Sequence, residues 1–131
     1  MKESSLIQAQ AKVQTSAPTF RRRFPRRQFR YSVGVLARGE YNVVSGLEIG
    51  EGGLLFQTTL ELIKDSDVVL NFFVPGRSFI SVRGLIVYSL PDSANKGEKR
   101  SYGIKFHSLA FEYKRVIRDY IAEKTSQEAP V

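Results

Sequence analysis

The sequence predicts an all-β domain, a six-stranded antiparallel β-barrel, followed by a C-terminal amphipathic α-helix. Three observations support this fold: short runs of alternating apolar residues, turn-forming residues between the runs, and an apolar period that changes only near the end of the chain. The chain has 131 residues, of which 42% are hydrophobic and 25% are charged. These values are typical of one globular domain with a core. Strands and helices do not alternate along the chain, which argues against a parallel nucleotide-binding sheet.

Six segments have the alternating pattern of half-buried strands. In the first strand Val33, Val35 and Ala37 alternate, and the tight turn Arg38-Gly39-Glu40 follows. Pro75-Gly76 matches the two central positions of a type II turn, because Pro presets φ and Gly accepts a positive φ. The other five strands are predicted over Tyr41 to Ile49, Leu54 to Thr58, Val68 to Val74, Phe79 to Leu90 and Tyr102 to Phe106.

The last part of the chain has a helical period instead. Its apolar residues are spaced by three or four and form one stripe: Leu109, Tyr113, Val116, Ile117, Tyr120 and Ile121. Ser108 is the expected N-cap, and Glu112 lies in the first turn, where the helix dipole favours an acid. The predicted domain therefore covers residues 21–124, between a flexible N-terminal tail at 1–20 and a disordered C-terminus at 125–131.

The composition excludes several classes of function. No apolar run approaches the roughly 18 residues of a membrane span, and no secretory signal is visible, so we expect a cytoplasmic protein. The chain has no cysteine and one histidine, which argues against a disulfide, a structural metal and a Cys nucleophile. His107 has no second His, Cys or paired acid beside it, so it is expected at the surface. No nucleophile, base and oxyanion site assemble, which predicts a protein that is not an enzyme and has no cofactor.

Positive charge is concentrated in one short segment. Six arginines lie between Arg21 and Arg30, and without them the net charge falls from +7 to +1. The expected partner is therefore a compact anion or a local acidic surface, and a wide nucleic-acid groove is not expected. The sequence alone also allows a solvated basic arm that contacts nucleic acid, acidic lipid or nothing.

The arginine segment contains two overlapping pairs spaced by four, Arg22/Arg26 and Arg23/Arg27. Pro25 opposes a helix here, and residues four apart in an extended chain share a face. Arginine suits a nucleotide because its planar fork grips phosphate or the guanine edge in bidentate fashion and can stack on a purine.

A glycine-rich turn, GLEIGEGGLLF, lies between the second and third predicted strands. Gly50, Gly52 and Gly53 would permit positive φ and leave backbone N–H groups open to a ligand. Glu48, just before the turn, could accept hydrogen bonds from a guanine edge. An ordinary hairpin turn explains the same glycines, and the spacing matches no Walker or dinucleotide motif.

Together these segments resemble the PilZ domain, a family of bacterial receptors for the second messenger cyclic di-GMP (c-di-GMP). The resemblance covers Arg21 to Glu123. Arg22 and Arg26 in RRFPR match the family's Arg-x-x-x-Arg motif, and Glu48 to Gly53 aligns with its Asp/Asn-x-Ser-x-x-Gly turn. The YGIKF segment ending at Phe106 is similar to the family's last strand, and the helix follows at the expected distance.

The resemblance implies a PilZ-like barrel that binds cyclic di-GMP and signals to a protein partner, in the regulation of motility or biofilm. It implies that Arg22 and Arg26 clamp the ligand and that Gly53 allows a close backbone approach. It also implies that Arg23, Arg27 or Arg21 adds phosphate contacts or a stacking plane. Glu48 stands where Asp or Asn is expected, and Gly50 where Ser is expected.

These two departures are expected to weaken ligand binding by about one to two orders of magnitude, because each lost hydrogen bond contributes roughly 1 kcal/mol. Two alternatives remain open. One is a degenerate PilZ module that binds no nucleotide and works by protein–protein interaction. The other is a small basic barrel that binds RNA or DNA, with an affinity that falls steeply with salt.

Overall fold

The computed structural model describes residues 25–91 and 99–128. Several predictions fall outside these ranges: the tail at 1–20, Arg22 and Arg23 of the predicted site, and the last three residues of the chain. The elements follow one another as seven strands and one helix: β1 (Arg26–Gln28), β2 (Ser32–Ala37), β3 (Glu40–Gly50), β4 (Gly53–Thr58), β5 (Asp67–Phe73), β6 (Phe79–Pro91), β7 (Arg100–Phe106) and α1 (Phe111–Glu128).

Six of the strands, β2 to β7, form a closed antiparallel barrel. Along the sheet the order is β3-β2-β5-β6-β7-β4, and the pairing of β3 with β4 closes the ring. The predicted six-stranded barrel with one C-terminal helix is therefore confirmed. The strand that the sequence did not predict is β1, a three-residue strand within the arginine segment that pairs with the end of β3.

The barrel interior is apolar because alternate residues of each strand point inward. Val33, Ile49, Phe56, Leu70 and Ile80 are among the side chains with no more than a trace of exposed surface. The predicted apolar stripe of the helix packs against this core. Its buried members are Leu109, Ile117, Tyr120 and Ile121, and its partly buried members are Tyr113 and Val116.

The predicted turns are confirmed by their backbone geometry. Gly76 has a φ of 72°, and the N–H of Arg77 donates to the carbonyl of Val74 at 2.9 Å, as in a type II turn. Arg38 and Gly39, at φ values of 54° and 80°, make the hairpin turn between β2 and β3.

The predicted start of the helix is wrong by two residues. The helix begins at Phe111, so Ala110 rather than Ser108 occupies the N-cap position, and the Ala110 carbonyl accepts the N–H groups of Tyr113 and Lys114. Ser108 instead has a φ of 41° in the connection from β7. Glu112 does lie in the first turn, as predicted. Within the described ranges, no helical segment has the length and apolar character needed to cross a bilayer.

Candidate functional site

Strand pairing brings the arginine segment beside the segment that leads into the glycine turn. Arg26 lies opposite Gly50, Arg27 opposite Ile49, and Gln28 opposite Glu48. Backbone hydrogen bonds continue past β1, since the Phe29 N–H donates to the Leu47 carbonyl at 2.9 Å. Phe29 is fully buried, so the chain immediately after β1 is fixed to the core. The two segments singled out in the sequence are therefore neighbours in the fold.

Arg26 and Glu48 form an ion pair on one face of these strands. The Arg26 Nη1 donates to the Glu48 Oε1 at 3.3 Å, and the two side chains keep 31% and 27% of their surface exposed. The pair is diagonal across antiparallel strands, where long side chains reach each other. An exposed ion pair contributes about 0–1 kcal/mol, so both groups are held in position but exchange partners at small cost.

Gly50 lies directly beneath the Arg26 side chain. A Cβ at this position would stand 3.2 Å from the Arg26 Cγ and 3.3 Å from the Pro25 carbonyl oxygen. These distances are tighter than ordinary van der Waals contact, although the closer atom belongs to a flexible side chain. The missing side chain at residue 50 therefore lets the arginine stem lie on the backbone of β3.

Arg27 points to the opposite face, because successive residues of a strand alternate. Its Nη1 donates to the Tyr120 carbonyl oxygen at 2.7 Å, and its guanidinium carbon lies 3.8 Å from the centroid of the Tyr120 ring. This geometry combines a charge-assisted hydrogen bond with a cation–π contact. Burial raises the pKa of the Tyr120 phenol, while the Arg27 charge lowers it. Arg26 thus faces Glu48, and Arg27 faces the helix.

The turn between β3 and β4 is also bonded to the helix. Arg118 donates from Nε to Glu51 Oε2 and from Nη2 to Glu51 Oε1, both at 3.0 Å. Hydrogen bonding from Arg118 holds the pKa of the Glu51 carboxyl below its usual value, against the opposing effect of burial. This bidentate pair was not predicted from the sequence. The available signals were an acid between glycines and an arginine off the apolar stripe of the helix.

The glycines of the turn do not act as predicted. Of Gly50, Gly52 and Gly53, none has a positive φ; among the described glycines that conformation belongs to Gly39 and Gly76. Gly53 is required for a different reason, because a Cβ there would stand 2.0 Å from the Ile104 carbonyl oxygen on β7. Gly53 therefore allows β4 and β7 to approach each other closely.

The other titratable residues considered in the sequence do not form a reactive cluster. The His107 Nε2 lies 3.2 Å from Asp67 Oδ1 at the surface, which places His107 where the sequence predicted it. Asp65 has a φ of 68° in the turn that precedes β5. Within residues 25–91 and 99–128, no group of three or more His, Cys, Asp or Glu side chains could hold a metal ion.

Comparisons with known proteins extend these observations. The sequence model of the PilZ domain matches residues 20–123. No curated protein matches the chain significantly. Among solved structures, the Bacillus subtilis inhibitor of motility MotI (DgrA) superposes with a TM-score of 0.74 at 16% identity, over 83% of this chain and 53% of that protein. The MrkH–c-di-GMP complex of K. pneumonia has a TM-score of 0.65 at 17% identity, over 81% of this chain and 53% of MrkH.

The chain thus spans about half the length of MotI and MrkH. It covers 99% of the isolated PilZ domain of YcgR from Escherichia coli, whose structure contains c-di-GMP, with a TM-score of 0.57 at 13% identity over 83% of this chain. At such identities the structural likeness shows a shared fold. The match of the family model over most of the chain goes further, and the chain belongs to the PilZ domain family.

Proposed function

We propose that this chain is a receptor for cyclic di-GMP and that the ligand binds on the face where β1 lies beside the end of β3. One observation carries the proposal: strand pairing sets Arg26 and Glu48 side by side, 3.3 Å apart, at the surface. A guanidinium and a carboxylate together match a ligand that has both phosphates and guanine bases. The cyclic di-GMP in the MrkH and YcgR structures supports the same ligand class.

In this proposal each residue on that face has a distinct role. Arg26 binds a phosphate or the O6/N7 edge of a guanine, and Glu48 accepts hydrogen bonds from the N1/N2 edge. Gly50 leaves room for the Arg26 stem to pack on the backbone of β3. Arg22, four residues before Arg26 and outside the described ranges, supplies the second guanidinium of the clamp, and Arg23 adds a further cation.

For two residues of the predicted site we propose supporting roles. Arg27 has its guanidinium against Tyr120 on the helix side of β1, so it anchors the strand rather than binding the ligand. Gly53 keeps β4 close to β7 and so fixes the turn next to Glu48. In this view the site consists of two ligand-facing segments whose other faces are held by the fold.

The affinity is expected to be moderate. The ligand must replace the Arg26–Glu48 ion pair, which costs about 1 kcal/mol or less, and Gly50 provides no hydroxyl where the family pattern has Ser. Electrostatic attraction between the two phosphates of the ligand and the arginine-rich segment raises the affinity and so offsets both of these unfavourable effects. Ligand binding would then change the charged surface around Arg26 and Glu48, and a protein partner would recognise that change. This role needs no catalytic group.

Isothermal titration calorimetry with cyclic di-GMP tests the proposal, with GTP and a short oligonucleotide as control ligands. We expect Arg26→Ala to weaken binding about tenfold to a hundredfold, since hydrogen bonds to charged groups contribute roughly 1.5–3 kcal/mol. Arg83→Ala is the matched control, because Arg83 is an exposed arginine on β6, away from β1. Equal affinities of both variants, or equal binding of the oligonucleotide, would contradict the proposed site.

A second candidate function is protein docking without nucleotide. It is favoured by exposed apolar side chains on the outer faces of neighbouring strands β3, β2, β5 and β6, namely Leu36, Tyr41, Val43, Phe73 and Phe79. Several exposed apolar groups on adjacent strands are typical of an interaction surface. A partner whose binding survives Arg26→Ala, together with no response to cyclic di-GMP, would favour this candidate.

A further inference from the structure

Both segments of the proposed site are bonded to helix α1. Arg27 of β1 reaches Tyr120, and Glu51 of the β3–β4 turn reaches Arg118. These two anchors lie within one turn of the helix, since Arg118 and Tyr120 are two residues apart. Arg77 adds a third bond to the helix, from its Nη2 to the Glu123 Oε1 at 3.0 Å, but it lies outside both ligand segments.

The position of β1 depends strongly on its anchor. This strand has three residues and pairs on one side only, with β3, so few backbone hydrogen bonds hold it. The Tyr120 ring also meets Phe29 edge-on, with 6.1 Å between ring centroids. Tyr120 therefore contacts both Arg27 within β1 and the buried Phe29 just after it. A shift of the helix at Tyr120 would move the strand that carries Arg26.

The turn after Glu48 is anchored in an equivalent way. The Glu51 side chain keeps 13% of its surface exposed and accepts two parallel hydrogen bonds from Arg118. Two parallel hydrogen bonds between a guanidinium and a carboxylate fix orientation as well as distance. The backbone between Glu48 and Glu51 is short, so fixing residue 51 against the helix restricts the direction in which residue 48 can point.

We propose that Arg27 and Glu51 are positioning residues that couple ligand binding to the docking of helix α1. The proposal rests on the proposed function, because it assigns the support of that same site. By linkage, an anchor that raises the affinity for ligand is strengthened by ligand to the same extent. Cyclic di-GMP should thus hold α1 more firmly against the barrel, and the exposed face of the helix becomes a surface that reports ligand occupancy.

The decisive test compares Glu51→Gln, which removes a negative charge, with Arg118→Ala, which removes a positive charge. General electrostatics predicts opposite effects on an anionic ligand, because one variant loses a negative charge and the other a positive charge. Loss of the anchor predicts that both weaken cyclic di-GMP binding, by about three- to tenfold in calorimetry. Arg118→Lys should recover part of the affinity, and Arg115→Ala, which removes another exposed arginine of α1, should change it by less than about twofold. Urea unfolding verifies that each variant is folded.

A second measurement tests the reciprocal effect. The chain has no cysteine, so Ala122→Cys on the exposed side of α1 can carry a single spin label. Added cyclic di-GMP should reduce the mobility of the label, and Glu51→Gln should diminish that response. If Glu51→Gln tightens binding while Arg118→Ala weakens it, or if the label does not respond, the coupling is refuted although the receptor proposal stands. If the wild-type chain binds no cyclic di-GMP, both proposals fail.

Discussion

Replacing Gly53 by alanine tests whether this glycine serves the fold or only the ligand. The Cβ of an alanine would stand 2.0 Å from the Ile104 carbonyl oxygen and 3.1 Å from its carbon. Ordinary contact begins at 3.4 Å, so β4 and β7 would have to separate locally by about 1.4 Å. Both neighbours are backbone atoms of a paired strand, and a rotamer change therefore cannot relieve the clash.

The expected cost follows from this displacement. Overpacking of a close contact costs about 1–3 kcal/mol, and each backbone hydrogen bond lost between β4 and β7 adds about 1 kcal/mol. Alanine also lowers the conformational entropy of the unfolded chain, which offsets about 0.4–1 kcal/mol of this loss of stability. We therefore expect Gly53→Ala to lower the free energy of unfolding by about 3 kcal/mol.

Urea unfolding of the ligand-free protein, followed by circular dichroism, measures this loss. With urea m-values of about 1–3 kcal/mol/M, the midpoint should fall by roughly 1–3 M. Gly52→Ala is the matched control, because a Cβ there would have no neighbour within 4 Å and its φ is not positive. The control should raise the midpoint slightly. Equal midpoints for the two variants would refute the conclusion that Gly53 is required by the pairing of β4 with β7.

Three further predictions concern the site and its supports. Gly50→Ser restores the hydroxyl of the family pattern and should tighten cyclic di-GMP binding about fivefold in calorimetry, since a hydrogen bond contributes roughly 1 kcal/mol. The new Cβ would stand 3.2 Å from the Arg26 Cγ and 3.3 Å from the Pro25 carbonyl oxygen, so both neighbours must shift slightly to admit it. An unchanged affinity would contradict the role given to that hydroxyl. Arg118 lowers the pKa of Glu51 in the folded protein, so the ion pair stabilises the fold above pH about 4.5 and this stabilisation is lost as the pH falls through the lowered pKa. Glu51→Gln should therefore flatten the dependence of unfolding free energy on pH, measured by urea unfolding between pH 3 and 5. A profile identical to that of the wild type would oppose this assignment. Phe29→Ala should cost about 3–5 kcal/mol in the same assay, because the ring is fully buried; a loss below about 1 kcal/mol would contradict that burial.

The sequence predicted the barrel because each strand repeats a local signal. Alternation marked the core faces of most barrel strands, although the predicted strand over Tyr41 to Ile49 carried no assigned face and contains a register shift between Gly46 and Glu48. Pro75-Gly76 marked a turn whose hydrogen bond is present. The helical stripe ending at Ile121 also matched its buried face. Strand β1 escaped prediction because a three-residue strand rich in arginine carries no apolar alternation. Its pairing with β3 depends on tertiary contacts, above all the burial of Phe29.

For the candidate site, the sequence predicted which segments belong together but not how their side chains divide between faces. Arg26 and Arg27 are adjacent and chemically equal, so only the register against Gly50 and Ile49 shows which one faces Glu48. The glycines suggested backbone freedom, whereas Gly53 is needed for a close approach to a strand about 50 residues later. Long-range contacts of this kind leave no local pattern.

The closure of the barrel has a consequence for how the chain folds while it is being synthesised. Strand β4 pairs with β3, its neighbour in sequence, but also with β7, whose residues Arg100–Phe106 leave the ribosome last among the seven described strands. Pairings between distant parts of a chain form slowly, because the intervening loop must first be closed. Until β7 arrives, β4 has a bare edge, and Gly53 lacks the strand against which it packs. A nascent chain that stops before residue 100 therefore contains Arg26, Glu48 and Gly53 but neither β7 nor helix α1, which support the turn and β1 in the complete fold.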